Sequence, residues 1–368
     1  MSLRNMHSPV TDVSEERLPV IVIHGGAGTL VRSAMSATLE ADYRAALESV
    51  LLAGQAVLAA GGSALDAVTE AVRLLEECPL FNAGKGSVLT EDGTHELDAA
   101  VMDGASLAAG AVTGVTTLRN PILAARQVMA QGEHVLLAGA GAERFAASRG
   151  CETVSNDFFT TDARDLQWKK ARAEHIALGG ADAQGRVGML LDHDAQSRVS
   201  SVEGRHESEP EAASTGPQPP IDPDTKFGTV GAVACDAFGN IAAATSTGGM
   251  TNKRIGRIGD SPLIGAGCYA NNATCAVSAT GTGEAFIRLV AGHDVSARIE
   301  YGHASTEMAA QQFISEKLGP LGGRGGLIVV DAKGTVTMPF NTEGMYRGFA
   351  RVGALPVTAI YGDERDDC

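Results

Sequence analysis

Gly228-Thr229 stands where two unlike stretches of chain meet. On its amino side runs "EGRHESEPEAASTGPQPPIDPD" (203–224), and on its carboxyl side "TVGAVACD". A threonine hydroxyl is a poor nucleophile unless a base adjoins it. A cut before Thr229 would free an α-amine whose ordinary pKa is about 7.7–8.0. That is a base suited to neutral pH, and it would sit on the same residue as the hydroxyl. Gly228 lacks a Cβ, so the carbonyl before the cut lies open to attack. By threonine and glycine content alone, the chain after residue 228 reads first as a small-residue sheet core with Thr on half-buried faces. The stretch before it turns the reading toward a chain that parts at this point.

Other chemistries find little support. The nine histidines are scattered, with no H-E-x-x-H and no Cys/His cluster, so a metal centre built on side chains is not expected. Asp192-His193-Asp194 reads as a polar turn. "GAGAERF" (139–145) is half of a dinucleotide fingerprint and the one candidate phosphate loop. There is no G-x-S-x-G elbow.

The elements that must hold the Gly-Thr junction follow from patterning. "LPVIVIHGGAG" is an apolar run ended by glycines, hence a buried strand entering a tight loop. From Ser36 to Ala60 the pattern is helical, with Leu39, Tyr43, Leu47, Val50, Val57 and Leu58 near one face and Gly61-Gly62 as the stop. Ser63 caps a second helix, with Asp66 three residues on and Leu65, Val68, Val72 and Leu75 as its stripe. "CPLFNAGKGSVLTEDGTHELDAAVMDG" is loop and strand, and "SLAAGAVTGVTTL" is strand. Asn120 caps a helix with Pro121 in first position, and another helix covers Asp162 to Ile176. "TVGAVACD" and "IAAATST" flank "AFGN" as a hairpin. Helices are expected from Gly283 to Ala291 and from Ser305 to Leu318, and "GGLIVVDAKGTVTMPF" forms a second hairpin. No internal repeat is evident. Strands in pairs and helices in pairs favour layered α+β architecture over repeated βαβ units.

At 368 residues, with 44% hydrophobic content and only 4% aromatic, the core must be aliphatic and small-residue, with close backbone approaches among the 45 glycines. A formal charge of −15 argues against nucleic acid or an anionic membrane as partner. No segment is apolar for long enough to span a bilayer. Residues 1–17 read as a disordered lead without an apolar signal core. The six cysteines form no C-x-x-C pair and read as reduced thiols of a cytoplasmic protein. Between Glu203 and Pro223 lie five of the thirteen prolines and almost no large apolar residue, a linker that cannot bury enough surface to order itself.

Several long motifs, in one order, give a resemblance: "HGGAG", "FNAGKGSVLTEDGTHELDAAVMDG", "GTVGAVACD", "TSTGG", "GRIGDSPLIGAGCYA" and "SATGTGEAFIR". Over roughly 18–180 and 226–355 the chain resembles the plant-type (type 2) L-asparaginase/isoaspartyl peptidase family of N-terminal-nucleophile hydrolases. The resemblance implies a four-layer αββα sandwich made as a precursor that cuts itself. Thr229 would attack the Gly228 carbonyl. The products would be an α subunit (18–228, with its linker over about 181–227) and a β subunit (229–368), together one αββα domain. Two such pairs would assemble as (αβ)2.

The resemblance also implies site residues. Thr229 matches the nucleophile and Thr247 the hydroxyl that hydrogen-bonds it. Thr280 and Gly281 match an oxyanion hole, and Asn82 the residue near the nucleophile's amine. Arg257 matches the clamp for a substrate α-carboxylate, Asp260 the acceptor for its α-ammonium, and Gly283 a further substrate contact. Backbone carbonyls of Leu75, Glu76, Cys78, Phe81, Ala83 and Lys85 match a loop that holds a structural sodium ion; no organic cofactor is implied. The substrates implied are L-asparagine and β-aspartyl dipeptides. Ala27 departs from a third consecutive glycine found in many relatives, which bears on the rate of self-cleavage. Two rival readings remain: a glycosylasparaginase-like amidase, and an uncleaved binding protein for aspartyl ligands. The preference between asparagine and dipeptides is not written in the motifs.

Overall fold

A computed structural model describes residues 19–177 and 228–364. The expected lead, the linker over about 181–227 and the turn at 192–194 lie outside the described residues. The first strand, β1 (Val20–Gly28), leads into α1 (Ala37–Ala59) and α2 (Ala64–Glu77). Both helices start where side-chain caps require. Ser36 accepts the Leu39 amide, and Ser63 accepts that of Asp66 while donating to its carboxylate. Then come β2 (Leu97–Asp103), β3 (Ala109–Val115), α3 (Pro121–Gln131), β4 (Leu136–Ala138), α4 (Gly139–Ser148) and α5 (Asp162–Ala177). The chain continues with β5 (Val230–Cys235), β6 (Ile241–Thr247), β7 (Cys268–Ala270) and β8 (Cys275–Gly281). Helices α6 (Gly283–Leu289), α7 (Ala291–Glu300) and α8 (Thr306–Gln312) follow, then β9 (Gly325–Asp331), β10 (Val336–Thr337), β11 (Gly344–Arg351) and β12 (Val357–Tyr361).

The strands form an eight-stranded sheet in the order β12-β11-β1-β5-β6-β2-β3-β4 and a four-stranded sheet in the order β10-β9-β8-β7. All pairings between neighbours are antiparallel except β3 with β4. Strand residues two apart share a face, and the core sorts by that rule. Ile21, Ile23, Ala99, Val101, Ala232, Ala234, Ala242 and Ala244 pack with α1 to α4. Val20, Val22, Ala100, Met102, Val233, Cys235, Ile241 and Ala243 meet Ala276, Ile328 and Val330 of the smaller sheet. Cys275, Val277, Ala279, Leu327 and Val329 turn the other way and pack with α6 to α8. Among the described residues no helix is long and apolar enough to cross a membrane. Cys78, Cys151, Cys235, Cys268 and Cys275 are free thiols.

Two expectations need correction. Asn120 makes no side-chain cap on α3; the Glu76 carboxyl at the end of α2 accepts the Ile122 amide at 3.0 Å instead. The "GAGAERF" segment, a weak match to a phosphate loop, forms the opening of α4. Its Glu143 carboxylate accepts the amides of Thr116 and Thr117 at 2.6 and 2.9 Å. The helix expected to end at Ala291 breaks one residue earlier, at Val290 in the left-handed region (φ 49°), and resumes as α7 to Glu300. Farther on, α8 widens into a π turn over Phe313–Leu318, so the helical stretch begun at Ser305 does reach Leu318.

The small-residue core depends on clearances of a methyl group or less. A Cβ on Gly110 of β3 would lie 2.2 Å from the Ala125 carbonyl and 2.4 Å from the Met129 amide, both backbone atoms of α3. Gly110→Ala is therefore expected to lower stability by ~1–3 kcal/mol or more, read as a drop in the urea midpoint. An unchanged midpoint would mean that α3 is free to shift on the sheet.

Candidate active site

Thr229 immediately precedes β5, a central strand held between β1 and β6. Its hydroxyl donates to Thr247 Oγ1, at the end of β6, over 3.1 Å. The same Thr247 oxygen accepts the Gly249 amide at 3.0 Å, which fixes the orientation of the receiving hydroxyl. Thr280, near the end of β8, is fully buried, and its Oγ1 has no hydrogen-bond partner among the described residues. A buried hydroxyl left open in this way is costly unless something else engages it. Gly281 follows with φ 143°. A Cβ there would lie 2.1 Å from the Arg324 carbonyl, so only glycine fits.

One cleft is lined by Gly228, Thr229, Thr247, Arg257, Asp260, Gly281 and Gly283, with Gly249, Met250, Gly259 and Ser261. The expected junction, nucleophile, partner hydroxyl, clamp pair and glycines thus converge on one place, and Thr280 adjoins it through Gly281. Asp260 is buried, and its Oδ2 has no partner among the described residues. Burial pushes its carboxyl up to about 7, against the pull of its own backbone amide and of Arg257. Arg257 is engaged: its Nε and Nη2 donate to the two carboxylate oxygens of Glu284, each at 2.9 Å. Burial works against its charge, but the Glu284 pair outweighs burial and raises the guanidinium pKa. A Cβ on Gly283 would lie 2.9 Å from Arg257 Nη2 and 3.0 Å from Asp260 Oδ1. The absence of that carbon keeps the space between cation and anion open.

Asn82 is a brace. Its amide nitrogen donates to the Gly249 carbonyl at 2.7 Å and its oxygen accepts the Val88 amide at 2.9 Å. Its own backbone carbonyl accepts the Gly248 amide at 3.1 Å. Gly228 packs directly on it, since a Cβ there would be 2.5 Å from Asn82 Cβ. The loop carrying Asn82 folds back so that a Cβ on Gly84 (φ 50°) would lie 2.4 Å from the Glu76 carbonyl oxygen. One on Gly86 (φ 94°) would meet the carbonyls of Pro79 and Phe81 at 2.5 and 2.9 Å. The carbonyls of Glu76 and Phe81, two of the six expected to hold sodium, face these glycines, and the Glu76 carbonyl also accepts the Lys85 amide at 2.7 Å. Backbone oxygens are the donor type that a hard cation takes. No group of three or more His, Cys, Asp or Glu side chains could hold a metal among the described residues.

Four side chains near the cleft make contacts that escaped the sequence, Glu76 having been named only for its carbonyl. Glu284 holds Arg257. Lys253, buried, donates to the Glu96 carbonyl at 2.9 Å and steadies the loop that bears Arg257. His24 contacts the Thr229 carbonyl at 3.0 Å. Glu76 accepts the Ser246 hydroxyl at 2.7 Å, bracing β6 beside Thr247. Only Glu284 had a usable signal, a carboxylate next to the "GTG" motif in the first turn of a helix. Ala27 is buried with ordinary backbone angles, so a third glycine is not required here. The special positions of that loop are Gly25, packed on Phe81, and Gly26 (φ 114°).

Comparison with known proteins agrees with this geometry. The asparaginase family matches residues 17–360. The chain is 53% identical to the isoaspartyl peptidase of Escherichia coli (strain K12), over 94% of this chain and 97% of that one. It is 54% identical to the isoaspartyl peptidase of Salmonella typhimurium, over 93% and 98%. With the isoaspartyl peptidase/L-asparaginase of Xenopus laevis it shares 38% identity over 94% and 96%. Family match and near-full-length identity lead to one assignment: the chain belongs to the asparaginase family of N-terminal-nucleophile hydrolases, with the isoaspartyl peptidases.

Proposed function

We propose that this protein is a threonine amidohydrolase that hydrolyses the side-chain amide of L-asparagine and the isopeptide bond of β-aspartyl dipeptides, releasing L-aspartate. The observation that carries the reading is the convergence of Thr229, Thr247, Arg257, Asp260, Gly281 and Gly283 on one cleft. Activity begins with self-cleavage. The Thr229 hydroxyl attacks the Gly228 carbonyl and the chain passes to an ester. Water opens it to a Gly228 carboxylate and a free Thr229 amine. The fold is then the αββα sandwich of these hydrolases, shared by an α subunit ending at Gly228 and a β subunit starting at Thr229. Two such pairs form (αβ)2. The free cysteines support a cytoplasmic setting.

In turnover, Arg257 grips the α-carboxylate of the aspartyl unit, a bidentate task suited to a guanidinium, and Asp260 takes the α-ammonium. The Thr229 amine accepts the hydroxyl proton as Oγ1 attacks the side-chain carbonyl. Thr280 Oγ1 and the Gly281 amide stabilise the oxyanion. The amine then returns the proton to the departing nitrogen, which leaves as ammonia or as an amino acid. Water hydrolyses the β-aspartyl ester. The carbonyls of Leu75, Glu76, Cys78, Phe81, Ala83 and Lys85 would hold sodium, which would steady the loop bearing Asn82.

Intact-mass measurement after incubation near neutral pH should give two fragments joined at 228/229 in the wild type and one chain in Thr229→Ala. An uncut, inactive wild type that still binds aspartate would make the protein a binder instead. The pH dependence follows from Asp260. Its carboxyl, raised to about 7 by burial, must be ionised to meet an ammonium. KM for L-asparagine should rise roughly tenfold from pH 8 to pH 6, and Asp260→Asn should give a high KM that no longer varies with pH. A flat wild-type profile would mean that Asp260 is ionised throughout. Exchange of sodium for choline at constant ionic strength should lower the melting temperature, with recovery on return of sodium; no change would remove the ion from the account.

A further inference from the structure

Behind the threonines lies a second polar cluster that the chemistry above does not use. His24 ends the β1–β5 pairing, where it stands opposite Gly231, and Gly231 in turn stands opposite Thr245 of β6. All three belong to the face of the large sheet that meets the small one, like Val22, Val233 and Ala243. Ser278 of β8 reaches across from the small sheet. Its Oγ lies 2.9 Å from His24 Nε2 and 2.7 Å from Thr245 Oγ1. It passes over Gly231, where a Cβ would be 2.0 Å from that oxygen. The far nitrogen of the imidazole, Nδ1, lies 3.0 Å from the carbonyl oxygen of Thr229. His24, Thr245 and Ser278 are all fully buried.

Proton placement in this chain is constrained. A carbonyl only accepts, so Nδ1 carries the imidazole proton and donates to Thr229 O. Nε2 therefore accepts the Ser278 hydroxyl proton. The single Thr245 hydroxyl proton then has two acceptors, the Gly267 carbonyl at 3.0 Å and the Ser278 oxygen at 2.7 Å. Burial holds the imidazole pKa down to about 3, which keeps it in this one-proton form at neutral pH.

We propose that His24 is a positioning residue for the nucleophile. Past His24–Gly231 the β1–β5 register stops, and the imidazole supplies the donor that the next rung would have given to the Thr229 carbonyl. Through Ser278 and Thr245 that donor is tied to β8 and β6. Those are the strands that carry Thr280 and Thr247 two residues farther on. The tie fixes the rotation of Thr229 about its Cα–C bond, and with it the direction of its hydroxyl and of the amine freed by cleavage. The proposal rests on the reading of Thr229 as the nucleophile.

The test compares Asn and Gln at position 24, because Asn places an amide donor near the position of Nδ1 and Gln near that of Nε2. For wild type, His24→Asn, His24→Gln and Ser278→Ala, self-cleavage is followed by intact mass, kcat and KM for L-asparagine are measured, and folding is checked by melting. His24→Gln should slow cleavage and lower kcat by roughly 10–100-fold, the scale of a misplaced reacting group. KM should stay within about twofold, since Arg257 and Asp260 are untouched. His24→Asn should recover most of both rates, and Ser278→Ala should fall between. Equal loss in the Asn and Gln variants, an unchanged kcat in His24→Gln, or a KM that rises with the fall in kcat would each overturn the proposal. If His24→Gln does not fold, Ser278→Ala decides: a lower kcat at constant KM supports the tie and an unchanged kcat refutes it. A wild type that neither cleaves nor turns over would instead bring down the nucleophile reading itself.

Discussion

The alternation of strand side chains between two faces is the constraint on which this site depends. Once Val233 and Cys235 of β5 point toward the small sheet, Gly231 and Thr229 must do so as well. Ile241 and Ala243 likewise commit Thr245 and Thr247 on β6, and Ala276 commits Ser278 and Thr280 on β8. Three strands from two sheets therefore deliver hydroxyls to one end of the same interlayer. The interlayer is apolar in its interior, polar at His24, Thr245 and Ser278, and open to solvent at Thr229. A one-residue slip in any of these strands would send its threonine into a helix-packed face, where Ser246 already reaches Glu76.

Charge is placed by other means. Arg257 and Asp260 lie on the long connection between β6 and β7, which has no ladder to hold it. The segment before β2 serves instead. The Asn252 amide donates to the Leu89 carbonyl and the Glu91 amide to the Lys253 carbonyl, each at 2.8 Å. The Gly256 amide reaches the Glu96 carboxylate, and Lys253 threads its ammonium to the Glu96 carbonyl. The sole tryptophan, Trp168, closes the stack by donating to the Thr90 carbonyl at 2.8 Å. All these bonds join chain before residue 228 to chain after it, or brace that junction from behind. A cut at Gly228-Thr229 would leave them in place, so Arg257 and Asp260 need not move with it.

The sequence made the scaffold legible where local physics decides it. Ser63 announces its helix because a cap is a contact between neighbours in the chain. The hairpin of β5 and β6 follows from alternation and a four-residue turn. Asn120 misled because the donor it would have capped is met by Glu76, a residue distant in sequence that no local pattern couples to it. The break at Val290 was hidden as well. Val290 is half exposed and takes the left-handed region (φ 49°), an angle of which valine gives no warning. Thr229, Thr247, Arg257 and Asp260 could be singled out because they sit in long motifs, and they line one cleft. His24 could not be assigned a role, since its partner Ser278 is 254 residues away and neither residue type is unusual for a strand.

Glycine abundance, read from composition as close backbone approach, has a sharper meaning at the site. Gly281 and Gly325 face each other across the β8–β9 ladder. A Cβ on Gly281 would strike the Arg324 carbonyl, and one on Gly325 would lie 2.2 Å from the Thr280 carbonyl. The pair lets β8 and β9 close tightly just where β8 ends, beside the cleft that Gly281 lines. Gly231 does the same for the His24–Ser278–Thr245 bridge, and Gly283 for the gap between Arg257 and Asp260. Each missing side chain marks a place where a polar group from one layer passes the backbone of another. A core of bulky aromatics would have sealed those passages. The aliphatic, glycine-rich composition is thus the condition for bringing buried hydroxyls, an imidazole and an ion pair within reach of a single threonine.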